Sequence, residues 1–195
     1  MTAGLPVRND SMPRIAALDI MRRADRLMIK YRVLLALFLG AMVLPAAVAA
    51  RPDPLIGRAA PDFVLKGLDG TNRRLSEYRG QVVLVNFWAR WAGASRQEMP
   101  ELEKIHATYE RAGLVVLGVS IDEDVVHARE FSAAVRVSYP ILFDSGAAIG
   151  ASYGIEKLPM TVLVDRGGII RYTNVGFKRG DLKACLETIR ELLRE

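Results

Sequence analysis

The sequence predicts an α/β domain, a three-layer sandwich of helices around a sheet, and three observations predict it. Short apolar runs of strand length alternate with longer segments that carry apolar residues at helical spacing. Thr161-Val162-Leu163-Val164 and Ile169 to Tyr172 flank the turn residues Asp165-Arg166-Gly167-Gly168, which makes them an antiparallel hairpin. Val82-Val83-Leu84-Val85-Asn86-Phe87 is nearly continuous in apolar residues, as suits a central strand covered on both faces.

Taken in order, Arg51-Pro52-Asp53-Pro54 reads as an extended linker. Phe63-Val64-Leu65, a turn at Leu68-Asp69-Gly70 and Thr71 to Leu75 form a small hairpin. Leu75 to Arg79 is a short helical turn closed by Gly80. After the central strand, a helix runs from about Ser95 to Ala112, with Met99, Leu102, Ile105 and Tyr109 on one stripe and Gly113 as its stop. Leu114 to Val119 is a second buried strand. Asp122 and Asp124 offer caps to a helix bearing Val125, Ala128, Phe131 and Val135. Pro140 to Phe143 is a third strand and Ala147 to Tyr153 a short helix. The last helix starts near Asp181 and presents Leu182, Cys185, Leu186, Ile189 and Leu193. Alternation of this kind implies a largely parallel sheet, with the closing hairpin adding antiparallel strands at one edge.

The 195 residues divide into 1–50, a leader, and 51–195, one domain. The formal charge of +5 belongs mostly to the leader: seven of the 27 Lys/Arg and three of the 22 Asp/Glu lie in residues 1–32. The remaining 20 cations and 19 anions nearly cancel, so the domain has no electrostatic case for nucleic acid. A basic stretch ending at Arg32, an apolar run from Val33 to Val43 and small residues at Ala47-Val48-Ala49 read as an export signal. The alternative is an uncleaved anchor, the only membrane contact the sequence suggests. Either reading places the domain in the periplasm or cell envelope.

Cys185 is the single cysteine, so no internal disulfide forms. It lies on the apolar stripe of the last helix and reads as a buried structural thiol. His106 and His127 stand apart with no cysteine or second histidine at ligand spacing, so no metal is expected. No strand–glycine loop–helix phosphate motif is present, and no cofactor is expected.

The informative block is Asn86-Phe87-Trp88-Ala89-Arg90-Trp91-Ala92-Gly93-Ala94-Ser95-Arg96-Gln97-Glu98-Met99-Pro100, where a buried strand ends and a helix begins. It resembles the TlpA/ResA-like family of extracytoplasmic thiol-disulfide oxidoreductases in the thioredoxin/redoxin superfamily, which read N-F-W-A-x-W-C-x-x-C-R-x-E-x-P. Gly57 to Phe63 resembles the family's entry segment, and Leu158-Pro159 before Thr161 to Asp165 its cis-proline loop. The resemblance covers roughly residues 56–194 and implies a thioredoxin-like fold with an N-terminal β-hairpin and a strand–helix insertion. It fails at the two cysteines, which are Ala92 and Ser95.

That difference decides the chemistry. In the family, the first cysteine sits at a helix N-terminus that stabilises its thiolate, and the second resolves the mixed disulfide. A methyl group cannot attack sulfur, and a serine hydroxyl cannot form or resolve a disulfide. No catalytic residue is intact. Ser95 and Glu98 match a capping box, with Pro100 as an in-helix kink; Glu98 is either a remnant acid/base or a plain helix-start carboxylate. Trp88 reads as core and Trp91 as an exposed rim. By resemblance, Trp91, Gly93, Ala94, Leu158 and Pro159 form a slot for an extended exported or envelope polypeptide. The favoured function is non-redox polypeptide binding. The alternative is a disulfide reductase, of cytochrome c maturation type, met here in a cysteine-less form; Ala94, where the family often has proline, favours natural drift. A peroxidase would need a cysteine at the helix start, and Cys185 is in another element.

Overall fold

The structure is a computed structural model that describes residues 53–195. The export signal or anchor assigned to residues 1–50 lies outside the described residues. No helix among them is long and apolar enough to cross a membrane.

Seven strands form one sheet. They are β1 (Val64–Gly67), β2 (Asn72–Arg74), β3 (Val82–Trp88), β4 (Leu114–Ser120), β5 (Ile141–Phe143), β6 (Met160–Val164) and β7 (Ile170–Val175), in the order β2-β1-β5-β4-β3-β6-β7. The helices are α1 (Gly93–Tyr109), α2 (Val125–Val135), α3 (Ala148–Ser152) and α4 (Leu182–Arg194). Leu75–Tyr78 and Glu110–Ala112 are 3-10 turns.

The sheet is mixed, which corrects the largely parallel expectation. Only β3 with β4 and β4 with β5 run parallel; β1 with β2, β1 with β5, β3 with β6 and β6 with β7 are antiparallel. Each parallel pair is joined by a strand–helix–strand crossover, which is the alternation visible in the sequence. It carried no information on where the flanking hairpins dock.

All seven residues of β3 are buried, and their alternation builds two cores. Val82, Leu84 and Trp88 face α1, α2 and α4, packing with Met99, Leu102, Phe131, Cys185 and Ile189. Val83, Val85 and Phe87 face the other way, onto Phe63, Leu75, Tyr153 and Leu158. The layer on that face is thin: the entry segment, a 3-10 turn and the five-residue α3. Trp88 stacks on Phe131 with ring centroids 5.2 Å apart. Gly118 on β4 makes room for it, because a Cβ there would lie 3.2 Å from Trp88 Nε1 and 2.7 Å from Ile141 Cδ1.

Four local expectations change. The active-block helix begins at Gly93, the start the family resemblance implies, and not near Ser95 as the local pattern suggests; Ala92 is its N-cap. Asp124 caps α2 by accepting the Val126 N–H at 2.7 Å, but Asp122 is no cap; it is buried and accepts the Arg90 N–H at 3.1 Å and the Ser120 hydroxyl at 2.9 Å. Val125 sits at the open start of α2 and is exposed. On α4 the residue sealed in the core is Leu192, one position before Leu193, which is half-buried. Gly113 ends the helical segment in the left-handed conformation at φ 99°.

Candidate functional site

The site forms where β3 ends and α1 begins. Asp122 holds the intervening Arg90 backbone, and the loop then exposes Trp91, with 68% of its surface open. Ala92 is the N-cap and makes no side-chain bond to the helix. The helix start has no acidic residue in its first turn, so its partial positive charge is not offset by a side chain there.

Ser95 and Glu98 do not form a capping box. Ser95 is the third helical residue, fully buried, and its Oγ has no hydrogen-bond partner among the described residues. Glu98 does not reach back to the helix start, so the helix-start carboxylate reading is also overturned. It is fully buried and points at the sheet. Its Oε2 accepts the Asn86 amide at 2.7 Å, and its Oε1 accepts the Thr161 hydroxyl at 2.9 Å. Asn86 Nδ2 also donates to Thr161 Oγ1 at 3.1 Å. Asn86 and Thr161 are direct partners in the β3–β6 ladder, so Glu98 pins α1 to two strands at one point. Burial pushes the Glu98 carboxyl up from 4.5 to about 7, against the opposing bonds from Thr161 and Asn86, with a small further rise from Asp181.

The Leu158–Pro159 peptide is cis, as the resemblance implies. Pro159 is buried and its carbonyl accepts the Gly176 N–H at 2.7 Å. No backbone hydrogen bond among the described residues engages the N–H or C=O of Leu158. Trp91, Ala92, Gly93, Ala94 and Leu158 line one open groove of about 420 Å³, and Ile121, Ile155, Glu156 and Lys157 complete it. Pro159 is buried and does not line it. Thus four of the five expected slot residues share the surface, together with Ala92.

Sequence reasoning missed the Asn86–Thr161 pair as the seat of Glu98. A signal existed: each is a lone polar residue in an otherwise apolar, doubly covered strand, and such a residue needs a buried partner. Nothing in the pattern pointed to Ile121 or Ile155.

Cys185 is buried on α4. Burial pushes its thiol up to about 12, and the Glu98 charge adds to the rise. It is neither accessible nor ionised, the two properties a peroxidatic or exchanging cysteine needs.

The AhpC/TSA family model matches residues 56–173 of this chain. The chain is 31% identical over 173 residues to thiol-disulfide oxidoreductase ResA of Geobacillus thermodenitrificans, covering 87% of this chain and 99% of that protein. Among solved structures, one assigned as thiol:disulfide interchange protein DsbE from Chlorobium tepidum superposes with a TM-score of 0.68 at 34% identity, covering 71% of this chain and 97% of the other. The exposed lipoprotein thioredoxin Etrx1 of Streptococcus pneumoniae does so with a TM-score of 0.56 at 30% identity, covering 68% and 100%.

Proposed function

The chain belongs to the AhpC/TSA family and to the ResA-like thiol-disulfide oxidoreductases of the thioredoxin superfamily, and from that premise we propose that it is an exported, non-redox member that binds extended polypeptide in the cell envelope. One observation carries the reading: the groove keeps its walls while the helix start that faces it holds a methyl group. The exposed Trp91 ring and the backbone of Leu158, unpaired among the described residues, belong to the same groove, and neither contact needs sulfur.

In this reading an extended chain lies along the groove. Its backbone pairs with the Leu158 N–H and C=O, and an apolar side chain packs on Trp91. Affinity comes from main-chain hydrogen bonds and one aromatic anchor, and no covalent intermediate forms. The export signal read in residues 1–50 supports the envelope location, as does the relative described as an exposed lipoprotein.

The test is capture from an envelope extract by the native chain and by Trp91→Ala, with and without thiol-blocking reagent. The proposal predicts a defined set of polypeptides held equally with blocked thiols and lost with Trp91→Ala. Capture that disappears on thiol blocking, or no capture at all, contradicts it.

A further inference from the structure

The groove does not end at Trp91. A second groove of about 500 Å³ lies beside it, and Trp91 and Ile121 line both, so the two halves adjoin at these side chains. The halves differ in chemistry. The first is apolar, and its two charges, Glu156 and Lys157, cancel. The second carries Asp122, Glu123 and Asp124 against one guanidinium, Arg90.

These carboxylates are not equivalent. Asp122 is buried and occupied by Arg90 N–H and the Ser120 hydroxyl. Asp124 gives one oxygen to the Val126 N–H and turns the other toward His127 Nδ1, at 3.4 Å. Glu123 is exposed and makes no ion pair among the described residues. An exposed indole beside the unpaired Glu123 carboxylate, with the exposed Asp124 next to it, is cation-recognition chemistry. The ring face attracts an ammonium or guanidinium group, and tryptophan does so best among aromatic side chains. The methylene stem of Lys or Arg covers the ring while its head stays with the carboxylates. The domain as a whole is almost neutral, so the negative charge is local to this half.

We propose that the bound polypeptide is basic, with a Lys or Arg side chain laid across Trp91 and its charged head beside Glu123 and Asp124. The proposal rests on the polypeptide-binding reading above and adds the chemical class of the partner.

The experiment uses three short, cysteine-free fluorescent peptides on one apolar scaffold, bearing two Lys, two Gln or two Glu, titrated into the full chain by anisotropy. The Lys peptide is expected to bind about tenfold more tightly than the Glu peptide at low salt, two surface charge contacts being worth roughly that factor. The gap closes at high salt, and in the double variant Glu123→Gln with Asp124→Asn, where asparagine retains the α2 cap. Equal binding of all three peptides, or tighter binding of the Glu peptide, overturns the basic-partner proposal and leaves polypeptide binding standing. A gap that survives the double variant also overturns it, because the preference then resides elsewhere. No binding by any peptide overturns both readings.

Discussion

The Asn86 amide donates to the Glu98 carboxylate at 2.7 Å inside the protein, beneath the helix that carries the site. Glu98 is the one carboxylate of α1 sealed in the interior, and burial pushes it up to about 7. Its charge is therefore a cost that the folded state bears at neutral pH and the unfolded chain does not.

Because the folded-state value lies above the unfolded one, the folded form holds the proton more tightly between about pH 4.5 and 7. The stabilisation is complete below that window and is lost as pH rises through it, by roughly 3 kcal/mol in all. Chemical denaturation from pH 5 to 8 should show this decline. Glu98→Gln, which has the shape of the neutral acid, should flatten it, and the variant should gain on the native chain as pH rises. Parallel profiles for the two proteins would contradict the assignment.

Restoring sulfur tests whether the frame is otherwise complete. The double variant Ala92→Cys with Ser95→Cys puts a thiol at the α1 N-cap, where the free N–H groups and the helix dipole lower its pKa, and a resolving thiol behind it. It should reduce insulin disulfides in the presence of dithiothreitol above the background rate, whereas the native chain should not. A folded but inert double variant would show that more than the cysteines has been lost.

Cys185 should behave as a core residue. With its thiol buried and pushed up to about 12, it should resist Ellman's reagent in the native state and react fully in denaturant. Cys185→Ser should cost about 1–3 kcal/mol, the penalty for a buried hydroxyl without a designed partner. Rapid labelling of the native chain would contradict this placement.

The two tryptophans separate stability from binding. Trp88 is fully buried against Phe131, and Trp88→Ala should cost about 3–5 kcal/mol. Trp91 is mostly exposed, and Trp91→Ala should change stability by less than about 0.5 kcal/mol while weakening peptide affinity roughly tenfold or more. Thermal melts paired with peptide titration check both. A destabilised Trp91→Ala would make its binding effect indirect.

Much of this was legible from residue pattern. The unbroken apolar run at Val82 to Phe87 declared a doubly covered strand, and Gly113 marked a helix end. The missing cysteines at 92 and 95 were visible because Trp91 and Pro100 bracket them at familiar spacing. What the pattern obscured were choices made by tertiary contacts. Ser95 with Glu98 satisfies the local rule for a cap, but the chain turns into helix two residues earlier and Glu98 is drawn into the sheet by Asn86 and Thr161, which lies 63 positions away. Asp122 obeys the same local rule and is claimed instead by the Arg90 backbone. The groove walls at Ile121 and Ile155 come together only through the sheet order, which no single segment encodes.

The most direct test is an amide chemical-shift titration of the isotope-labelled chain with a cysteine-free extended peptide. The account predicts saturable shifts at Trp91, Gly93, Ala94 and Leu158, unchanged after thiol blocking. Shifts confined to another surface, or none at saturating peptide, would contradict it.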